Sequence, residues 1–168
     1  GNIGGITRVE KVALACAERK IPIRIGINSG SLEKAALEKY GAPCAEAIAE
    51  SAVINANMLE EFGFSDIVLS VKSSNVPTMI KANRILAEQT SYPLHLGVTE
   101  TGTGSRAIVK SAVGIGTLLA EGIGDTVRVS SSDAVTQEVA AAKSILQSLD
   151  IRRGINLISC PTCGRTRF

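Results

Sequence analysis

Short β-rich runs alternate along the chain with longer segments of helical periodicity. The runs that predict strands are Ile23–Ile27, Asp66–Lys72, Leu94–Thr99, Asp125–Ser130 and Gly154–Ser159. Apolar residues recur three or four positions apart in the segments that predict helices, which are Thr7–Lys20, Pro43–Phe62, Asn75–Gln89, Ser105–Glu121 and Asp133–Leu149. Repeated strand–helix units of about 30 residues are typical of parallel strands joined by right-handed crossovers. The pattern therefore predicts an α/β fold.

Polar residues follow the predicted strands where each strand ends, at Asn28, Lys72, Glu100 and Ser130. Active sites of (β/α)8 barrels are assembled at this end of the strands, so the pattern favours a barrel over a doubly wound sheet. The segment Gly102–Gly104 lacks the third glycine of a dinucleotide-binding loop and follows a late strand. We expect a partial TIM-like barrel of about five parallel strands, corresponding to strands four to eight.

Composition and charge fit one soluble domain. The chain has 168 residues, 45% of them hydrophobic, and a formal charge of +2 spread along its length, which offers no basic stripe for nucleic acid and no anchor for an anionic membrane. No apolar run reaches the roughly 18 residues of a membrane span, and the start does not resemble a signal peptide. We expect a cytoplasmic protein. The first methionine is Met58, and we expect both ends of the chain to be cut.

The cysteines fall into two groups. Cys16 lies in a predicted helix and Cys44 near a helix start, where both are expected to be small buried apolar residues. Cys160 and Cys163 form a Cys-x-x-Cys pair, which in a reducing compartment indicates metal or redox chemistry. Counting ligands leaves two possibilities open, half of a zinc site and part of an iron–sulfur site.

Cationic side chains share the strand faces that would form one pocket. Side chains alternate along a strand, so Arg24 and Asn28 lie on one face, as do Arg128 and Ser130. Guanidinium groups and the Lys72 ammonium match phosphate oxygens, and the pattern therefore favours a phosphate site. The alternative is that these cations are solvated or paired with carboxylates.

Two further polar residues lie in the third predicted strand and directly after it. Glu100 would face the cations, and its alternative role is to cap the next helix. His95 is the only histidine, and a lone strand histidine is more often structural than catalytic, so it is not included in the predicted site. Strand alternation places His95 and Glu100 on opposite faces unless the strand ends before Glu100.

Several motifs occur together in an order that resembles one enzyme family. They are RIGINSGSLEK at Arg24–Lys34, PLHLGVTE at Pro93–Glu100, EGIGDTVRVS at Glu121–Ser130, RGIN at Arg153–Asn156 and CPTCG at Cys160–Gly164. Across essentially its whole length the chain resembles the 4-hydroxy-3-methylbut-2-enyl diphosphate synthase family.

This resemblance implies a reductive ring opening of 2-C-methyl-D-erythritol 2,4-cyclodiphosphate in isoprenoid biosynthesis, with electrons delivered through a [4Fe-4S] cluster. It implies Glu100 and Asn28 as catalytic residues, and substrate binding by Arg24, Lys72, Arg128 and Ser130. Ferredoxin or flavodoxin would donate electrons, and the full-length enzyme would be a homodimer.

The resemblance also implies how the chain divides. Residues 1–159 would form the C-terminal part of the barrel, and residues 160–168 would begin a linker to an iron–sulfur domain. Cys160 and Cys163 would supply two cluster ligands, whereas the family's third cysteine and ligating glutamate lie beyond Phe168. We therefore expect the chain alone to be inactive.

Two other functions remain open at this stage. One is a phosphate-binding barrel fragment whose Cys-x-x-Cys holds zinc or nothing and has no redox role. The other is an assembly module whose exposed sheet edges pair with another chain.

Overall fold

The computed structural model describes residues 5–155, which form six α-helices and four strands. The helices are α1 (Ile6–Arg19), α2 (Lys34–Tyr40), α3 (Ala45–Glu61), α4 (Val76–Gln89), α5 (Gly104–Ala120) and α6 (Val135–Ser148). The strands are β1 (Ile23–Asn28), β2 (Ile67–Lys72), β3 (His95–Leu96) and β4 (Thr126–Val127), and a short 3-10 turn covers Ser29–Ser31. A mixed α/β fold is therefore confirmed. Most of the predicted fifth strand, Gly154–Ser159, lies outside the described residues.

The described strands are parallel and lie side by side in chain order. β1 pairs with β2 from Ile23 opposite Ile67 to Asn28 opposite Lys72, and β3 pairs with β4. A single parallel bridge between Leu69 and the residue before β3 connects the two pairs. Sequential order brings the carboxyl ends of all four strands to one edge, where a site can be assembled.

The five predicted helices are found within two residues of their predicted bounds, and α2 was not predicted. α2 has seven residues and buries none of them, so it lacks the apolar stripe by which a helix is recognised in a sequence. β3 and β4 are shorter than predicted because regular ladder pairing covers only two residues of each. Beyond these two residues the neighbouring segments are joined by isolated hydrogen bonds, such as that from Arg128 N to Leu96 O at 2.9 Å.

Local sequence signals explain how α4 begins. The side chain of Asn75 caps this helix by accepting a hydrogen bond from Thr78 N at 2.9 Å, and Pro77 occupies the first turn. Both residues are typical of helix starts, because the cap satisfies a free backbone N–H and proline lacks one. α4 therefore starts directly after the end of β2, which is where Lys72 lies.

The core lies between the strands and helices α3, α4 and α5. Alternate residues of β2 and of the segment that begins with β3 are fully buried against these helices, among them Leu69, Val71, Leu96 and Val98. Burying such side chains stabilises the fold by about 1.5–3 kcal/mol each. The opposite strand face carries the polar residues described below. α1 contributes only Ala13 to the buried core.

No described helix has both the length and the apolar character to cross a membrane.

Candidate anion-binding site

A pocket of about 340 Å³ lies on the inner face of the strands, towards their carboxyl ends. Eight residues line it, and they are Arg24, Gly26, Asn28, Ser70, Lys72, Thr99, Arg128 and Ser130. Five of the six side chains predicted from the sequence to converge are therefore brought together. Glu100 is not among them. Ser70 and Thr99 are additional polar residues, which alternation from Lys72 and from Gly97 could have indicated.

Strand register explains the convergence. Asn28 lies directly opposite Lys72, and Gly26 lies opposite Ser70, so the inner faces of β1 and β2 meet. Neighbouring strands are about 4.8 Å apart, and a long side chain spans that gap easily. Arg24 enters the same pocket from deeper in β1.

Lys72 is a half-buried cation placed beside two other cations. Burial, followed by the charges of Arg128 and Arg24, lowers the pKa of Lys72 to about 8. None of the ion pairs found within residues 5–155 involves Arg24, Lys72 or Arg128. Converging cations that lack a carboxylate are stabilised when an anion enters between them. The pocket is therefore suited to a multiply charged anion such as a phosphate ester.

Gly97, the residue after β3, lies beside the pocket and next to the Lys72 side chain. A Cβ atom at Gly97 would lie 2.9 Å from the backbone oxygen of Arg128, 3.2 Å from Lys72 Cε and 3.4 Å from Lys72 Nζ. The first distance is too short for a carbon atom to be accommodated without backbone movement. The absence of a side chain at position 97 thus leaves the space that the lysine occupies.

His95 points to the same face of the sheet as Gly97, two residues along the chain. Its Nδ1 lies 2.8 Å from Thr126 Oγ1, and its buried Nε2 has no hydrogen-bond partner in the described part of the protein. Burial and the charges of Lys72, Arg24 and Arg128 lower the pKa of His95 to about 4. The imidazole is therefore neutral at physiological pH.

Glu100 lies beyond the pocket because the backbone turns at this residue. Its φ is 54°, a left-handed conformation that a straight extension of the strand would not contain, and its side chain is exposed. The predicted convergence of six side chains is thus not found for Glu100. Glu100 does not cap α5 either, since the carboxylate that accepts from Gly104 N, at 2.7 Å, belongs to Asp133.

Comparison with known proteins identifies the family. The model of the GcpE TIM-barrel domain matches residues 1–143. The chain belongs to the GcpE family. The resemblance seen in the sequence motifs is therefore confirmed, and the polar ends of β1 to β4 are those of a GcpE barrel domain.

Curated GcpE relatives named 4-hydroxy-3-methylbut-2-en-1-yl diphosphate synthase (flavodoxin) align along the whole chain. The protein of Clostridium perfringens is 57% identical, and that of Fusobacterium nucleatum is 55% identical. Each alignment covers 100% of this chain and 48% of the relative. The protein of Geobacter sulfurreducens is 54% identical with the same coverage. The chain thus spans about half the length of the curated relatives it matches.

The described part of this GcpE chain does not contain a donor set for a metal cluster. Within residues 5–155 no group of three or more His, Cys, Asp or Glu side chains is arranged to hold a metal ion. Cys16 and Cys44 are free thiols. Both are only partly buried, Cys16 because α1 inserts little more than Ala13 into the core. Cys160 and Cys163 lie outside the described residues. The described donors do not fit a [4Fe-4S] cluster.

Proposed function

We propose that this chain is part of the barrel domain of a 4-hydroxy-3-methylbut-2-en-1-yl diphosphate synthase. Its pocket would bind the diphosphate group of the substrate, 2-C-methyl-D-erythritol 2,4-cyclodiphosphate. The observation that carries the proposal is the convergence of Arg24, Lys72 and Arg128 on one pocket. The names and sequence identities of the curated relatives support it.

The pocket side chains have complementary roles in this proposal. Arg24 and Arg128 each offer a planar guanidinium that can donate two hydrogen bonds to one phosphate, and Lys72 adds a compact charge. Ser130 and Asn28 donate hydrogen bonds to the remaining oxygens. The cost of holding three cations together in the empty pocket is offset when two phosphates enter.

The same cations would act on the ring opening itself. Breaking a ring carbon–oxygen bond leaves additional negative charge on a phosphate oxygen, and fixed cations stabilise such charge without having to reorganise. Asn28, at the end of β1, would hold a substrate hydroxyl group. Glu100 would supply a proton or bind a hydroxyl group from its exposed position next to the pocket residue Thr99. Both catalytic roles are proposals.

The proposed ligands of the electron-donating group lie outside the described residues. A [4Fe-4S] cluster would supply electrons to this reaction, and Cys160 and Cys163 are proposed as two of its ligands. The names of the relatives include flavodoxin, which we propose as the electron donor, with ferredoxin as the alternative. Cytoplasmic location and a homodimer complete the proposal.

The fold proposal is that β1 to β4, with a fifth strand in Gly154–Ser159, form a curved segment of a (β/α)8 barrel. Parallel pairing in chain order supports it, as does the family match. In this arrangement the pocket on the inner face of the strands lies at the barrel mouth.

Calorimetric titration of the 168-residue chain with inorganic pyrophosphate tests the binding proposal. We expect Lys72→Met to weaken binding about tenfold or more, because one charge-assisted contact is worth about 1.5–3 kcal/mol. Lys143→Met is the matched control, since Lys143 is an exposed cation on α6 outside the pocket, and its affinity should stay within about twofold of the parent. Equal weakening by both variants would show that binding is non-specific.

Competition distinguishes the synthase from a general phosphate-binding barrel. We expect the cyclic diphosphate to displace pyrophosphate at lower concentration than a phosphorylated sugar of similar size, because only its two phosphates match the three cations at once. Displacement by every phosphorylated sugar at similar concentrations would favour the alternative function.

A further inference from the structure

Lys72 occupies an unusual position for a lysine, because its half-buried side chain lies against a neighbouring strand segment. Its Cε and Nζ approach the place where a Cβ of residue 97 would lie, to 3.2 and 3.4 Å. Long lysine side chains normally extend their charge into water. Something in the neighbouring strand must therefore favour this position, and two residues of that strand segment, Gly97 and His95, share its inner face.

We propose that Gly97 and His95 are positioning residues that together seat the Lys72 ammonium over β3. Gly97 leaves the space for the side chain, and His95 Nε2, a buried atom with no partner among the described residues, is the acceptor for the ammonium. Neither residue lines the pocket, and both act through Lys72. This arrangement of Gly97 and His95 around Lys72, called the lysine seat below, would strengthen anion binding. That consequence rests on the proposed function of the pocket.

The steric part of the proposal comes from the glycine. Of the three atoms closest to a Cβ at position 97, two belong to the Lys72 side chain and one to the backbone of Arg128. Any larger residue would have to displace the Lys72 side chain, the backbone at Arg128, or both. By contrast, a Cβ at Gly116 on α5 would meet no atom within 4 Å, so a similar substitution there leaves the structure unchanged.

The polar part comes from the orientation of His95. The contact from Nδ1 to Thr126 Oγ1 at 2.8 Å fixes the ring, and His95 is only 7% exposed. Nε2 is buried without a partner among the described residues, and buried polar atoms in folded proteins nearly always have one. The cations that act on His95 are Lys72 of β2, Arg24 of β1 and Arg128, the residue after β4.

Electrostatics selects the tautomer. With three cations nearby, the imidazole is more stable when a lone pair and not an N–H group is directed towards them. The proton then lies on Nδ1, which donates to the Thr126 oxygen. Nε2 remains as an acceptor, and of the three cations Lys72 carries the rotatable donors on a flexible stem.

Two substitutions of His95 distinguish the roles of its two ring nitrogens. In His95→Asn the amide nitrogen can replace Nδ1 as donor to Thr126, while the Nε2 acceptor is lost. In His95→Gln the longer side chain can place an amide oxygen near the Nε2 position, while the Thr126 contact is lost. The readout is the pKa of Lys72, followed by NMR of 13C-labelled lysine in the 168-residue chain without any anion, together with pyrophosphate affinity.

We expect His95→Asn to lower the Lys72 pKa by about 0.5 or more, because the charged form loses an acceptor, and to weaken pyrophosphate binding about threefold. His95→Gln should leave both close to the parent. The opposite order, in which His95→Gln changes Lys72 and His95→Asn does not, would overturn the role of Nε2 and leave only a contact with Thr126. Equal values in all three proteins would also overturn it.

Gly97→Ala tests the space. We expect the Lys72 pKa to rise towards its usual value as the ammonium is pushed into solvent, with weaker pyrophosphate binding, while Gly116→Ala leaves both unchanged. An unaltered Lys72 pKa in a folded Gly97→Ala chain would refute the steric part. If that variant does not fold, the His95 pair still decides the proposal. Failure of the parent to bind pyrophosphate would refute the proposed function, while the Lys72 pKa would still test the seat.

Discussion

The hydroxyl of Thr101 donates a hydrogen bond to the backbone carbonyl of Ser130, and so ties the segment after β3 to the segment after β4. Thr101 is 4% exposed, and it directly follows Glu100, whose φ of 54° turns the chain. A non-glycine residue in this conformation costs energy, which the surrounding contacts must offset. The Thr101 bond is one such contact, and it holds Glu100 near the pocket residue Ser130.

Thr101→Val should destabilise the chain by about 1–2 kcal/mol, because the substitution keeps the shape but leaves the Ser130 carbonyl without its donor. Thr101→Ser retains the hydroxyl and should lower the free energy of unfolding by less, because it removes only the buried methyl group. Urea denaturation measures both. If the serine variant were the less stable of the two, methyl packing and not the hydrogen bond would hold this segment.

Two glycines of α5 should respond in opposite directions to alanine. A Cβ at Gly114 would lie 2.6 Å from Met79 Cε and 2.7 Å from Val98 Cγ2, whereas one at Gly116 would meet nothing within 4 Å. We expect Gly114→Ala to destabilise the fold by about 1–2 kcal/mol through overpacking. Gly116→Ala should stabilise it by about 0.5–1 kcal/mol through helix propensity.

Thermal or urea unfolding of the two variants checks this difference. Gly114 is where α5 approaches Met79 of α4 and Val98, two residues after β3, so its response reports how closely the helices pack against the strands. A stabilised Gly114→Ala chain would mean that Met79 and Val98 move aside easily and that the helices are not closely packed at this point.

The sequence predicted the longer helices because each places apolar residues on one face, and it missed α2 because that helix buries nothing. It predicted the meeting of Arg24, Lys72 and Arg128 because alternation and parallel order together determine which side chains share a pocket. It failed for Glu100, since alternation holds only while the strand stays extended and the backbone turns there.

His95 shows a different limit of sequence reasoning. A single histidine in a strand is compatible with structure or function, and only the contacts of its two nitrogens distinguish them. Its alternation with Gly97 was a usable signal, but the meaning of that glycine depends on Lys72 arriving from another strand. Such a relation between distant positions has no trace in the local pattern.

Acid should destabilise the chain through His95. Its pKa is lowered to about 4 in the folded protein, so the unfolded chain binds more protons between about pH 4 and 6.5, and stability is lost as the pH falls through that window. We expect a loss of about 1–2 kcal/mol that His95→Asn lacks. The check is the difference in unfolding free energy between the two proteins across this range. A constant difference would mean that His95 titrates normally.

Anion binding should weaken as the pH rises through about 8, because Lys72 loses its charge there in the empty pocket. A bound anion raises the pKa of Lys72, so binding is fully supported below about pH 8 and declines between the free and the bound pKa. Sulfate is a suitable probe because its own charge is constant in this range.

Lys72→Arg is the matched variant, since a guanidinium stays charged throughout. Its sulfate affinity should be nearly independent of pH up to about 9, whatever its absolute value. The parent should lose about threefold to tenfold in affinity over the same range, as one of three cations is neutralised. Calorimetry in buffers of different ionisation enthalpy should also show proton uptake on binding near pH 8 in the parent and none in the variant. Parallel pH profiles for the two proteins would show that Lys72 is fully charged across this range and is not perturbed by its two arginine neighbours.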